Sequence, residues 1–148
     1  MVLFHPKGSI GPATLHKFRP YFAEGYDLVI ASRIITGAVN EEDSKLFRPR
    51  KWFVRGLAII SAILWKRGSP MIWDMLHGYR GMRKDACARI ELLPTGLAAD
   101  LEMVVRGYRF GLRQVEFPVE EKPRPSGDTH FKAWPTGKKL LAYLRHEL

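Results

Sequence analysis

Hydrophobic positions along the chain change their spacing often enough to divide it into alternating strands and helices. Met1-Val2-Leu3-Phe4 is a short apolar run that stops at His5-Pro6-Lys7-Gly8-Ser9, the pattern of a buried strand entering a loop. Gly11-Pro12-Ala13-Thr14 opens a helix with Pro12 in its first turn, and Leu15, Phe18 and Phe22 share one face until a stop near Gly25. Asp27-Leu28-Val29-Ile30-Ala31-Ser32 is the clearest strand of the chain. Residues 36–50 are polar, acidic in the middle and basic at the end, as in a loop or lid, and residues 52–65 are apolar nearly all round. Helices are expected over 84–93 and 97–109, separated by Pro94-Thr95-Gly96, the second carrying Leu101, Val104, Val105 and Tyr108 at helical spacing. Residues 111–119 alternate apolar and polar positions like a half-buried strand, with Pro118 suited to an edge. A Pro/Gly/Ser loop over 122–132 with cations at both ends leads to an amphipathic helix over 137–148. The order strand, helix, strand predicts an α/β fold with a mostly parallel sheet and flanking helices.

Composition narrows this picture without deciding function. The 148 residues suffice for one domain with a sizeable core, and 46% hydrophobic with 26% charged residues is an ordinary globular balance. The net charge of +9 favours phosphate groups, whether of a nucleotide, a nucleic acid or an anionic lipid. No pattern of a nucleic-acid-binding module accompanies it, so no nucleic-acid partner is expected. The single cysteine, Cys87, fits a reducing compartment and reads as a packing residue. The N-terminus lacks a signal-peptide pattern, and no apolar run approaches the length of a membrane span, so a cytoplasmic protein, soluble or peripheral on a membrane, is expected. The run over 52–65 has a tryptophan at each end and basic flanks, which leaves two readings open: a buried core helix, or a helix in the membrane interface.

The chemically expensive choices crowd into Ile72-Trp73-Asp74-Met75-Leu76-His77-Gly78-Tyr79-Arg80-Gly81-Met82-Arg83. An acid, an imidazole and two guanidinium groups lie among apolar neighbours, where a charge needs a partner or a ligand. Asp74 and Arg80 either neutralise each other or face a ligand. Ligands of parallel α/β sheets collect beyond the carboxyl ends of the strands, where Arg33 and the loop with His5 and Lys7 stand. Asp100 and Glu102 lie two apart on a helix, so at most one faces a cleft, and Glu102 is the candidate.

Taken in order, these pieces resemble the second half of family 2 glycosyltransferases, especially those similar to dolichyl-phosphate mannosyltransferase and polyprenyl-phosphate glycosyltransferases. The residues that carry the resemblance are Phe4-His5-Pro6-Lys7-Gly8-Ser9-Ile10-Gly11-Pro12 at the position of a metal loop and Pro-started helix, and Gly25-Tyr26-Asp27-Leu28-Val29-Ile30-Ala31-Ser32-Arg33 at that of a strand. Further along they are Asp74 with Gly78-Tyr79-Arg80, then Gly111-Leu112-Arg113-Gln114-Val115-Glu116-Phe117-Pro118, then Arg124-Pro125-Ser126-Gly127 with Lys132. The resemblance covers essentially the whole chain as a single domain, 1–148, the acceptor-side half of a Rossmann-like GT-A fold. It implies transfer of a sugar from a nucleotide sugar to a polyprenyl phosphate, with Asp74 and Arg80 as catalytic candidates and Arg33, Arg124 and Lys132 as phosphate contacts, to which the position of Lys7 in the loop adds a further phosphate-binding candidate. It also implies that residues 52–65 face a membrane beside the acceptor.

Two departures shape what is expected of the chain. The family usually uses Mg²⁺ or Mn²⁺, and its metal-loop aspartates fall on His5 and Lys7, so no metal cofactor is expected: a divalent cation takes hard oxygen ligands, and lysine is itself a cation. The β/α units that hold base and ribose in the family have no counterpart, which implies a fragment of a longer protein or a half supplied by another chain. Little or no sugar transfer by the chain alone is therefore expected. The alternative reading is a non-catalytic phosphate- or membrane-binding module that retains the fold.

Overall fold

The structure is a computed structural model that describes residues 2–3, 10–39, 49–92, 98–121 and 133–148, the side chains of 2, 3, 49, 50 and 133–135 excepted. In chain order the elements are β1 (Val2–Leu3), a 3-10 turn (Pro12–Lys17) that runs into α1 (Phe18–Ala23), β2 (Leu28–Ser32), α2 (Pro49–Trp65), β3 (Arg80–Met82), α3 (Lys84–Ile90), α4 (Ala99–Arg109), β4 (Gln114–Pro118) and α5 (Ala133–Glu147). The strands form one sheet in the order β1-β3-β2-β4. β2 pairs with β4 in parallel, Leu28 opposite Gln114 and Ser32 opposite Pro118, whereas β3 lies antiparallel between β1 and β2. Three of the four strands therefore run one way and β3 runs against them. This is the mixed α/β architecture expected, with one reversed strand that hydrophobic spacing alone did not mark.

Strand alternation assigns the two faces of the sheet. Leu28 and Ile30 of β2 point into a core shared with Leu57 and Ala58 of α2, Ala86 and Ile90 of α3, Leu101, Val104 and Tyr108 of α4, and Leu140 and Leu144 of α5. Val29 and Ala31 point the other way, into a smaller cluster of Phe18, Tyr79, Phe117 and Val119. Helices thus cover both faces, and β2 is buried throughout, which is why its sequence is a continuous apolar run rather than an alternating one. α1 sits so close to β3 that a Cβ on Gly81 would come within 2.8 Å of the Phe22 ring. The absent side chain lets Phe18 and Phe22 lie on the strand.

The alternation read in β4 is present, but its polar side does not face water. Gln114 is fully buried and its side-chain amide donates to the Val104 carbonyl of α4 at 3.3 Å. Glu116, on the same side, turns to the chain between α2 and β3. The helix layer passes over this half of the sheet, so each polar group there needs an internal partner.

Candidate functional site

Between α2 and β3 the chain runs from residue 66 to 79 without regular structure, starting at the amino ends of β2 and β4 and reaching their carboxyl ends near Asp74 and His77. Buried main chain without a helix or a ladder must find its hydrogen bonds elsewhere, and here side chains supply them. The Tyr108 hydroxyl accepts from the Ile72 amide at 2.7 Å. The Glu116 carboxylate accepts from the Trp73 and Asp74 amides at 2.8 and 2.7 Å. His77 Nδ1 donates to the Ala31 carbonyl of β2, which fixes its proton on that nitrogen and leaves Nε2 as the acceptor while the ring is neutral.

Arg33, the first residue after β2, grips Asp74 with Nε to Oδ2 at 3.0 Å and Nη2 to Oδ1 at 3.2 Å, and its own amide donates to Oδ2 at 3.0 Å. Its Nη1 lies 3.5 Å from Glu121 Oε1. The pair is almost entirely out of water, with side-chain exposures of 6% and 1%. Burial disfavours the Asp74 carboxylate, but the Arg33 charge and its hydrogen bonds outweigh it and hold the group well below the usual carboxylate range. The same forces keep Arg33 charged despite its burial. For Glu116 the balance goes the other way: burial, with the Asp74 charge added, raises its carboxyl against the pull of the two amides it accepts from.

Arg80 does not pair with Asp74. It is fully buried and donates to the carbonyls of His77 (2.9 Å from Nε, 2.6 Å from Nη2), Met75 (3.3 Å) and Asp100 (2.6 Å), with Asp100 Oδ1 3.4 Å from its Nε. One guanidinium fork thereby ties the loop before β3 to the first turn of α4. Glu102, the other carboxylate candidate of α4, is buried against Arg106 at 3.4 Å, and Arg106 also holds Glu147 at 3.2 Å, so this group joins α4 to α5 instead of facing the cluster around Asp74. Cys87 is half-buried against the larger core. Lys7, Arg124 and Lys132, with His5, lie outside the described residues. Of the site residues expected from sequence, the structure brings together Arg33 and Asp74, and it sets Arg80 on the carbonyls of Met75, His77 and Asp100 instead. Glu116, Glu121 and Tyr108 join the cluster without any local sequence pattern that marks them as site residues.

Burial, and then the nearby Arg33 charge, pull the His77 imidazole down to about 3. A depressed histidine is neutral in the folded state while the unfolded chain takes up a proton near its ordinary value of 6.5, so stability should fall as pH drops from about 6.5 towards 3. Asp74 contributes in a lower window, below about pH 4, where the unfolded carboxylate is protonated first. Urea midpoints at neutral pH and at pH about 5 separate the two. The parent midpoint should drop, and His77→Asn, which keeps a donor for Ala31 and takes up no proton, should drop much less. Equal losses would remove His77 from the account.

The chain is 27% identical over 135 residues to the "Dolichol-phosphate mannosyltransferase" of Pyrococcus furiosus, an alignment that takes in 91% of this chain and 36% of that protein. The likeness is to a glycosyltransferase. No family model matches the chain. The chain spans little more than a third of the length of this relative, and the cluster around Asp74 lies within the part of the fold that α/β proteins use for ligands. At the opposite end of β2 and β4 a cavity of about 260 Å³ is lined by Tyr26, Arg67, Arg113 and Gln114. The Arg113 guanidinium there donates to the Glu24 and Gly25 carbonyls.

Proposed function

We propose that the chain is the acceptor-side part of a glycosyltransferase that moves a sugar from a nucleotide sugar to a polyprenyl-type phosphate. The observation that carries this reading is the likeness to dolichol-phosphate mannosyltransferase over 91% of the chain. In the proposed reaction an acceptor phosphate oxygen attacks the anomeric carbon, the bond from that carbon to the donor's diphosphate breaks, and a nucleoside diphosphate leaves. Asp74 and Arg33 form the floor of the proposed acceptor site. Lys7, Arg124 and Lys132 are its proposed phosphate-facing cations, Lys7 because its place in the sequence is that of the resembled family's metal loop. Arg80 acts in this reading as a positioning residue, since its donors hold the main chain that carries Asp74 and His77.

Farnesyl phosphate is a soluble probe of the acceptor half of this reading, and farnesol is its uncharged control. Isothermal titration of the full chain should give binding of the phosphate at least about tenfold tighter than of the alcohol, as expected for one or two charge-assisted hydrogen bonds. The preference should shrink with added salt. Equal affinities, or no binding of the phosphate, would contradict the proposed function.

A further inference from the structure

The end of the sheet opposite Asp74 holds a second collection of charge that the proposed reaction does not use. The cavity of about 260 Å³ opens there, where β2 and β4 begin side by side at Leu28 and Gln114. Arg67 and Ser69, from the chain after α2, line it together with Tyr26 and Arg113, from the turns before β2 and β4. Gly68 completes that wall in the left-handed region at φ 75°, with bare backbone and open space where a Cβ would stand.

We infer that this cavity is a binding site for a small phosphomonoester that carries a free hydroxyl. Its two guanidinium groups select the anion. Arg113 is held in place: its Nη1 donates to the Glu24 and Gly25 carbonyls at 2.9 and 3.4 Å, and the group lies over the Tyr26 ring, 4.8 Å from the centroid. Its Nε and Nη2 find no acceptor among the described residues. Asp27, in the same turn, accepts from the Arg113 amide through Oδ2 at 3.0 Å rather than from the guanidinium. Arg67 is exposed and meets neither an acceptor nor a carboxylate among the described residues. Two forks with open donors along one concave wall suit the oxygens of a phosphate, which accepts several charge-assisted hydrogen bonds at once.

Gln114 supplies the reason for the hydroxyl. It lines the cavity fully buried, its Nε2 donates to the Val104 carbonyl at 3.3 Å, and its Oε1 has no donor among the described residues. A buried amide oxygen without a donor is unfavourable, and a ligand hydroxyl that reaches it would remove the penalty. Size sets the upper bound. Pockets for drug-sized ligands span roughly 300–1,000 Å³, so this one takes a molecule of a few carbons and excludes a nucleotide sugar or a prenyl chain. The cavity is therefore separate from the acceptor site proposed above, and the inference does not rest on that function.

The test is titration of the isotope-labelled full chain with glycerol 3-phosphate, read from backbone amide resonances. Saturable shifts are expected at Tyr26, Gly68, Ser69 and Arg113, with none at Arg33 or Asp74. Glycerol, which lacks the phosphate, should give no shifts, and ethyl phosphate, which lacks the free hydroxyl, should bind measurably more weakly. Arg67→Gln alters an exposed side chain, should melt like the parent, and should weaken binding at least about tenfold. Lys139→Gln removes the same charge from an exposed position of α5 and should bind like the parent. No saturable shift, equal affinity for ethyl phosphate, or equal weakening by the two substitutions would overturn the inference. So would shifts that gather at Arg33 and Asp74, because the phosphate would then occupy the acceptor site instead.

Discussion

Replacing Arg33 with alanine should destabilise the chain by about 3–5 kcal/mol, because it strands the buried carboxylate of Asp74 and removes the cation facing Glu121. In a chain of this length such a loss lowers the melting temperature by roughly 10 °C or more. The cost comes from the unpaired charge that remains, not from the pair as such, and the two contributions are separable. Arg33→Met combined with Asp74→Leu leaves no unpaired partner in that ion pair and should recover part of the loss. Thermal melts of the single and double variants check this: a double variant as unstable as the sum of its singles would mean that Arg33 and Asp74 act independently.

Arg80→Ala should cost a comparable amount, at least about 3 kcal/mol, by a different route. Four donated hydrogen bonds disappear at once, leaving the carbonyls of Met75, His77 and Asp100 without that donor inside a packed loop. Arg80→Lys should rescue little, since a single ammonium cannot reproduce a planar fork spread over three carbonyls. Denaturant unfolding of both variants is the check, and a lysine variant as stable as the parent would show that charge alone, not geometry, matters at this position.

Much of the framework was legible in the sequence because it is written in local periodicity. β2 announced itself as an apolar run after a glycine stop, and α4 by Leu101, Val104, Val105 and Tyr108 on one face. Where neighbours in space decide, the sequence misled or stayed silent. β3 is three residues long and becomes a strand only because β1 and β2 offer it two edges. The helix expected to reach residue 93 ends at Ile90, where Glu91 turns into the left-handed region at φ 45°. Asp74 suggested Arg80 as its partner because the two are six positions apart, yet it is bound by Arg33, 41 positions away. Alternation over 111–119 predicts a half-buried strand, yet Glu116 on its polar side is turned inward to the amides of Trp73 and Asp74. The one signal that pointed otherwise was its place in a strand that follows a helix in an α/β sheet, where both faces are covered.

The central claim is that the carboxyl ends of β2 and β4, around Arg33 and Asp74, form an acceptor-phosphate site. Titrating the isotope-labelled full chain with farnesyl phosphate and following backbone amide resonances tests it most directly, because the readout reports location as well as affinity. The account predicts that the largest shifts fall on Arg33, Ile34, Asp74 and His77, and that farnesol does not reproduce them. Shifts concentrated instead at Tyr26, Gly68 and Arg113, at the other end of the same strands, would contradict it.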